Sequence, residues 1–412
     1  MRTVIMSLVL ALWAAAAASA EGPLSVDPES WAFEKIDNPE GVANEDIAAF
    51  AVTAERCPKL LIGTRDGDGL FLKDVGMELD VLCRTVLAPP KFGDARRGPS
   101  PTAWRQAFAG SSVRQIATGS GVILAAVSDG TSLSPQSLYR SLDSGRDWEL
   151  AYRLPENAYV RDALFVRTYD DSRLMIAAIR DGGENYYIRS TDKGATWARH
   201  EYGVVFVDEN PIMWDLVELS YLVKSCPRLF GSLIPWLCRR TARQSTLFMS
   251  GEYGGEKGED YQPILLKSEN SGKTWSSIVE NLPEAAQWHA VSMDVDSVNR
   301  RVYHQCEGGT SAWTDDSGAT WSTDYFAFKY VAVDPATGGL VLARRGDDWG
   351  RIGDIYVMQT APSSAHTFDE NLVRISDVMS VPAVKISGGG KWLWAKSYTD
   401  GLWVSKIPRE AD

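Results

Sequence analysis

Charged side chains beside glycine recur along the chain and are the residues best suited to chemistry. Arginine side chains can clamp a carboxylate through paired N–H donors, and two carboxyl groups can hydrolyse a glycosidic bond as acid and base. The sequence therefore predicts an anion site or a glycoside site. The candidate binding residues are Arg65, Asp66, Arg161, Asp162, Arg180, Glu252, Tyr253, Arg344, Arg345 and Asp348.

Turn chemistry explains many of the acidic residues in this set. An Asp or Glu close before Gly also occurs at Asp129, Glu307 and Asp400, and hairpins use this combination wherever the chain reverses. The arginines follow no such rule, because they occur in only some of the repeated units. Repetition therefore leaves the arginines unexplained, and they could bind a carboxylate.

One eight-residue phrase occurs four times and determines the architecture. It covers residues 141–148, 190–197, 268–275 and 314–321, with Asp or Asn in third place, Gly in fifth and Trp in eighth. We expect the third side chain to accept hydrogen bonds from backbone N–H groups one and two residues on, and Gly to supply a positive φ. The Trp should be buried on the next strand. These structural positions are Asp143, Trp148, Asp192, Trp197, Asn270, Trp275, Asp316 and Trp321.

The phrase resembles the Asp-box, S/T-x-D-x-G-x-T-W, of β-propellers such as sialidases, sortilin-type receptors, xyloglucan-active glycosidases and the photosystem II assembly factor. Asn270 replaces Asp in one copy and Asp147 replaces Thr in another. The resemblance implies an all-β propeller in which the Asp-box turns lie on the face opposite the site. It leaves the activity open, since these relatives include enzymes, receptors and assembly factors.

Seven repeated units can be counted along the chain, with a period of about 47 residues. The strand before each Asp-box or its weaker equivalent begins near Leu70, Leu138, Tyr187, Ile264, Ser311, Ile355 and Leu402. The segment 31–36 has no unit of its own and should complete the seventh blade, which removes an exposed sheet edge. The sequence thus predicts one seven-bladed β-propeller over residues 22–412.

Two insertions interrupt the repeat. Residues 88–101 are rich in Pro and Gly and predict a surface loop. Within the second insertion, 209–240, residues 212–223 are predicted to be helical and 226–238 form an apolar segment between two cysteines. This insertion could be a lid over the central face, a docking element for a partner or membrane surface, or a flap that packs on a neighbouring blade.

The N-terminus and the composition bear on location and partners. Residues 1–20 have the basic start, apolar run and Ala-Ser-Ala end of a signal peptide, which predicts a secreted or periplasmic protein. The net charge of −12 argues against nucleic acid as a ligand, and membrane contact is expected only through the 209–240 insertion. In an exported protein, disulfides Cys57–Cys83 and Cys226–Cys238 are expected, with Cys306 as a buried thiol.

No cofactor or metal site is expected. Each repeated turn offers fewer oxygens than the roughly six to eight that calcium takes. The four histidines are not clustered with Cys or Asp as zinc ligands would be.

The resemblance also suggests how a sialidase-like site could be formed. Arg161, Arg180 and Arg344 would clamp the substrate carboxylate, Tyr253 with Glu252 would act as nucleophile, and Asp162 would be the acid/base. The Phe-Arg-Ile-Pro motif of that family is missing. The sequence therefore favours an exported, non-catalytic binding or assembly module that recognises a protein or glycan at the central face, with a carbohydrate-active enzyme as the alternative.

Overall fold

The structure is a computed structural model of the full chain. It describes residues 22–53, 58–75, 103–131, 135–166, 174–182, 184–204, 211–225, 239–253, 262–287, 290–306, 310–325, 328, 330–343, 354–359, 372–376, 381, 383–387, 390–397, 399 and 401–410. The predicted signal peptide, the 88–101 loop, the apolar segment 226–238 and the cysteines 57, 83, 226 and 238 lie outside these residues.

The described strands form seven antiparallel sheets of four strands each, which we call blades 1 to 7. In chain order, β1 (Phe33–Ile36) comes first and belongs to blade 7. Blade 1 contains β2 (Ile47–Val52), β3 (Leu60–Thr64), β4 (Leu70–Lys73) and β5 (Arg105–Ala107). Blade 2 contains β6 (Ser111–Gly119), β7 (Val122–Asp129), β8 (Gln136–Ser141) and β9 (Glu149–Arg153). Blade 3 contains β10 (Ala158–Val166), β11 (Met175–Asp181), β12 (Glu184–Ser190) and β13 (Ala198–His200).

Blade 4 contains β14 (Pro211–Ser225), β15 (Arg239–Tyr253), β16 (Gln262–Ser268) and β17 (Ser276–Ser277). Blade 5 contains β18 (Ala290–Asp296), β19 (Arg301–Cys306), β20 (Thr310–Thr314) and β21 (Ser322–Tyr325). Blade 6 contains β22 (Tyr330–Val333), β23 (Leu340–Ala343), β24 (Ile355–Met358) and β25 (Val373–Ser376). Blade 7 contains β26 (Ala383–Ser387), β27 (Trp392–Ser397) and β28 (Gly401–Lys406). Short 3₁₀ turns occupy Pro28–Ser30, Asn44–Asp46, Val279–Asn281 and Glu284–Ala286. The predicted all-β, seven-bladed propeller is confirmed.

The two ends of the chain meet at blade 7. Strand β1 pairs with β28 from Phe33 opposite Ser405 to Ile36 opposite Leu402, so the first strand is the outer strand of the last sheet. Further out, Leu24 bridges to Arg409. The ring is therefore joined by backbone hydrogen bonds between its first and last segments.

A bidentate ion pair fixes this junction to blade 6. The guanidinium of Arg409 contacts both carboxylate oxygens of the fully buried Asp334, at 2.5 and 3.0 Å, and also donates to Gly390 O at 2.6 Å. Asp334 lies in the turn between the first two strands of blade 6 and accepts from the Thr337 hydroxyl as well. The C-terminal segment thus connects blade 6 to the closed blade 7.

The core consists of apolar layers between neighbouring blades. Between blades 3 and 4, Ile176 and Tyr187 pack against Leu247 and Trp275. Between blades 4 and 5, Phe248 and Leu265 belong to the cluster that contains the fully buried Cys306, whose thiol donates to Ala286 O at 3.2 Å. Because both faces of most strands are covered, many strands are apolar along their whole length.

The repeated turns follow one hydrogen-bond scheme. In the blade 3 turn, Ser190 Oγ donates to Asp192 Oδ1 at 2.8 Å and accepts from Gly194 N at 2.9 Å. Asp192 accepts from Thr196 N at 2.9 Å and Thr196 Oγ1 at 2.6 Å. Although partial burial acts to raise it, these hydrogen bonds lower the pKa of Asp192 to about 2. The donors lie further along the turn than expected, because Asp143 likewise accepts from backbone groups three and four residues on.

Each turn also contacts the preceding blade. The residue before the turn glycine has a positive φ, and in three turns its carbonyl accepts a side-chain hydrogen bond from the blade before. Arg140 Nη1 donates to Lys193 O at 2.7 Å, and Arg189 Nε donates to Ser271 O at 2.8 Å. Lys59 Nζ donates to Ser144 O at 3.3 Å. The phrase therefore fixes neighbouring blades as well as reversing the chain.

The helix predicted over 212–223 is wrong. These residues belong to β14, which pairs with β15 from Pro211 opposite Tyr253 to Ser225 opposite Arg239. A strand covered on both faces carries an apolar run that periodicity cannot distinguish from a buried helix, and its Ile, Val, Trp and Tyr residues favour a strand. Since β16 pairs only as far as Leu247, the remainder of β14 and β15 is a two-stranded ribbon on the face that carries the repeated turns.

We predict that Arg409→Ala lowers the free energy of unfolding by about 3 kcal/mol or more, because it leaves the buried Asp334 carboxylate without its cation. The matched control is Arg374→Ala, which removes the more exposed pair with Asp354 and should cost less than about 1 kcal/mol. Chemical denaturation of both variants measures the difference. Equal losses would contradict the structural importance of the Arg409 pair.

A pH dependence of stability is predicted from His304. This fully buried ring has no hydrogen-bond partner on either nitrogen among the described residues, and burial lowers its pKa from 6.5 to about 4. As the pH falls below 6.5, His304 takes up a proton in the unfolded chain before it does so in the folded chain. The free energy of unfolding therefore has its full value above pH 6.5 and decreases as the pH falls towards 4. Between pH 7 and pH 4, the free energy of unfolding of the wild type should fall by about 3 kcal/mol more than that of His304→Phe. Denaturation curves at both pH values test this, and a constant difference would contradict it.

Candidate functional site

The first strands of the blades surround a central channel. They contact one another in order around the ring, from β2 and β6 through to β22 and β26. Each first strand is also the inner edge of its sheet. The channel wall is therefore formed by strand edges, whose side chains and backbone groups face the neighbouring blades.

Five of these first strands contain a β-bulge near their beginning. A bulge inserts an extra residue, bends the strand and redirects a side chain. The extra residues are Ala48 in blade 1, Arg114 in blade 2, 161–163 in blade 3, Trp214 in blade 4 and Val291 in blade 5. Two arginines thus lie at equivalent bulges of adjacent blades.

The bulges of blades 1 to 3 and the loop that carries Arg65 form a pocket of about 190 Å³ that we call the cationic pocket. Arg65 comes from the connection between the second and third strands of blade 1, and Arg114 and Arg161 come from the bulges of blades 2 and 3. None of its lining residues is acidic. They are Ala48, Arg65, Arg114, Gln115, Tyr159, Val160 and Arg161.

Neighbouring groups hold Arg114 and Arg161 in place. Arg114 Nη2 donates to Thr131 O at 3.3 Å, and its Nε has no hydrogen-bond partner among the described residues. The Arg161 guanidinium lies over the Tyr159 ring at 5.3 Å. Burial, and then the nearby Arg65, lower the pKa of Arg114, as expected for a cation among cations.

Lys396 of blade 7 lies close to this cluster. Its amino group is buried and donates to Ile47 O at the start of β2. Burial, and then the charge of Arg65, lower the pKa of Lys396 to about 8. A fourth cation therefore lies near Arg65, outside the lining of the pocket.

Two carboxyl groups lie next to Arg65. Asp46 and Asp66 share a hydrogen bond, and this bond, with burial and the Asp66 charge, raises the pKa of Asp46. Arg65 N donates to Asp46 O at 3.0 Å, so the pair is held at the same loop.

The channel also contains a cavity of about 440 Å³ bordered by blades 3 to 7. Asp215 Oδ2 accepts from Met293 N at 2.9 Å, and Asp294 Oδ2 accepts from Val333 N at 2.7 Å, so each carboxyl joins its blade to the next. Burial raises the pKa of Asp294 to about 7, although Val333 N and Val295 N donate to its carboxylate. Lys385, opposite, donates to Phe50 O at 3.0 Å.

The structure brings only some of the predicted residues together. Arg65 and Arg161 line the cationic pocket, with Asp66 beside them. Arg161 and Asp162 lie in strand β10, the first strand of blade 3. Arg180 pairs with Tyr159 but is outside the lining, and Glu252 is buried in blade 4.

Several of the predicted residues lie wholly or with their side chains outside the described part of the chain. The side chains of Asp162 and Tyr253 are outside the described part of the chain. Arg344, Arg345 and Asp348 also lie outside the described residues. The sialidase-like set therefore has only Arg161, Arg180 and Glu252 described, and Glu252 belongs to a different blade from the two arginines.

Sequence reasoning missed Arg114 and Lys396. Arg114 lies 47 residues before Arg161, which is the repeat period, so aligning the units would have revealed it. Lys396 gives no comparable signal, because it lies inside a strand and belongs to no charged residue–glycine pair. Both lie near Arg65 because blades 2 and 7 are the two neighbours of blade 1 in the closed ring.

Two negative findings apply to the described ranges. No group of three His, Cys, Asp or Glu side chains in them could hold a metal ion. Nor do those ranges contain a helix long and apolar enough to cross a membrane.

We predict that Asp66→Asn moves the pKa of Asp46 down towards its ordinary value of 3.8, because the second carboxylate and its shared proton are removed. NMR titration of the side-chain carboxyl carbons measures this pKa directly. Asp68→Asn in the same loop is the control and should leave the Asp46 titration unchanged. An identical Asp46 titration in the wild type and in Asp66→Asn would contradict the shared hydrogen bond.

No family model matches the chain, and no curated protein matches it significantly by sequence. Similar folds are found among solved structures. "YCF48 bound to D1 peptide" has a TM-score of 0.51 and 11% sequence identity, covering 94% of this chain and 99% of that one. "Crystal Structure of Mitotic Checkpoint Complex" has a TM-score of 0.51 and 5% identity, covering 93% of each chain. At these identities the likeness establishes the propeller fold alone.

Proposed function

We propose that the protein is a binding or assembly module that holds an acidic segment of a partner protein in the cationic pocket. The observation that carries this proposal is the convergence of Arg65, Arg114 and Arg161 from three adjacent blades on one cavity without an acidic lining residue. Guanidinium groups bind carboxylates through paired, charge-assisted hydrogen bonds. Such a cluster in a chain of net charge −12 is a local attractor for anions.

The dimensions of the pocket favour a side chain over a larger ligand. Sites for whole small molecules have roughly 300–1,000 Å³, whereas this cavity has about 190 Å³. An Asp or Glu side chain or a chain-terminal carboxylate is small enough to enter. The similar fold described as bound to a D1 peptide gives an analogous case of a propeller that holds a peptide.

The sequence patterns suggest the setting of this function. The four repeated turns support membership of the Asp-box propellers, and residues 1–20 support export, so the partner would be met outside the cytoplasm. In this proposal the repeated turns are scaffold, because the turn after the third strand lies at the opposite end of the sheet from the connection that carries Arg65. The 209–240 insertion remains a second candidate contact element.

The Asp46–Asp66 pair beside the cationic pocket gives little support for a glycoside hydrolase. Asp46 and Asp66 are close enough to share a hydrogen bond, which raises the pKa of Asp46. Glycosidases hold their two carboxyl groups roughly 5–9.5 Å apart. A glycan ligand would have to use the arginines and Tyr159 without this pair as catalyst.

The test is a fluorescence polarisation titration with a capped, fluorescein-labelled Gly/Ala peptide that contains two aspartates. We expect Arg114→Gln and Arg161→Gln each to weaken binding about tenfold, because each removes a charge-assisted hydrogen bond. The matched control is Arg146→Gln, which removes an exposed arginine from the repeated-turn face of blade 2 and should have no effect.

The asparagine analogue of the peptide serves as the second control and should bind at least tenfold more weakly. Equal affinity for the aspartate and asparagine peptides would contradict recognition of an acidic segment. So would equal losses in the Arg114 and Arg146 variants.

A further inference from the structure

A third cavity, of about 450 Å³, is lined by Phe108 and by residues of blade 2. We call it the outer pocket. Its lining includes Phe108, Asp129, Tyr139, Arg153 and Glu156. Two acidic residues and one arginine give it the opposite balance of charge from the cationic pocket.

The outer pocket is built on a fixed aromatic wall. The Phe108 ring lies 4.8 Å from the Tyr139 ring and 5.2 Å from the Trp148 ring. Its backbone has a φ of 55°, a left-handed conformation that bulky residues rarely adopt. Phe108 O accepts from Ser111 N at 3.0 Å, which holds the segment in this conformation. Strain of this kind is retained where surrounding structure requires it and is common at binding sites.

The two pockets are joined along strand β6. Ser111 lines the outer pocket and Arg114 lines the cationic pocket, three residues further on. Three residues of strand span roughly 10 Å. Arg114 also donates to Thr131 O, in the connection that follows Asp129. The pockets are thus neighbouring cavities on two sides of the same short segment.

Glycines form the surface between them. Gly110 O accepts from Gly130 N at 2.9 Å, and a Cβ at either residue would meet no atom within 4 Å. Gly67, two residues after Arg65, lies next to both. A peptide backbone can therefore cross from one pocket to the other without meeting a side chain at these positions.

We propose that the outer pocket is a second subsite for the same partner segment, and that its volume of about 450 Å³ takes a basic side chain together with the backbone that carries it. Asp129 and Glu156 would pair with the cation, and the rings of Phe108 and Tyr139 would cover its apolar stem or its charge. Since an extended chain advances about 3.3 Å per residue, the acidic and basic residues of the partner are expected about three positions apart. This inference rests on the proposed function, because the acidic residue would occupy the cationic pocket.

The experiment uses capped, fluorescein-labelled Gly/Ala peptides in which an aspartate is followed by a lysine one, three or six positions later. Polarisation titrations compare each with its lysine-to-glutamine analogue. Lysine three positions away should improve affinity about fivefold, and the other spacings should improve it less. In the double variant Asp129→Asn/Glu156→Gln this gain should disappear, so the lysine peptide and its glutamine analogue should bind equally.

Asp147→Asn is the matched control, because it removes an exposed carboxylate from the opposite face of blade 2. It should leave the gain from lysine intact. If Arg114→Gln weakens all peptides but lysine gives no gain at any spacing, the second subsite is wrong and the proposed function stands. If no peptide in the series binds, both are wrong. A gain that survives in the Asp129/Glu156 variant would place the basic residue elsewhere and overturn the inference.

Discussion

The inner edge of each blade must find hydrogen-bond partners outside its own sheet, and the rest of the structure depends on how this is done. A first strand has unpaired N–H and C=O groups on the channel side, and such groups are costly to bury unsatisfied. Side chains of adjacent blades supply the partners. Ser292 Oγ accepts from Val331 N at 3.2 Å, and Thr118 Oγ1 donates to Val52 O at 2.9 Å. Polar residues in the channel are therefore required by the architecture before they serve any ligand.

The candidate site uses the bulge residues of the same first strands. Blade 5 has Val291 at its bulge, directly before the joining residue Ser292, whereas blade 2 has Arg114 and blade 3 has Arg161 at theirs. The guanidinium groups of these two arginines line the same pocket as Arg65, so the three positive charges add together. The repeated turns hold the blades in register at the other face, so the binding face can vary in sequence without loosening the ring.

The repeat made much of the fold predictable from the sequence, whereas fewer of the site residues could be predicted. Four phrases in register implied equivalent blades, and an unassigned segment before them implied an N-terminal strand in the last blade. The segment 212–223 was misjudged because a strand buried on both faces has no period of its own. Arg114 lies inside a strand and not beside a glycine turn. The bulge that redirects it is a shift in strand pairing, which no local sequence pattern indicates. The Arg409–Asp334 pair joins residues from different blades, so only the closed ring brings them together.

Hydrogen–deuterium exchange on the full chain, with and without a saturating acidic peptide, would test most directly whether the bulge arginines form the binding face. The account predicts slower amide exchange in the connection that carries Arg65 and at the beginnings of β6 and β10. Exchange in the repeated turns should stay unchanged. Protection confined to the repeated turns or to the β14–β15 ribbon would contradict the account, because it would place the ligand on the opposite face.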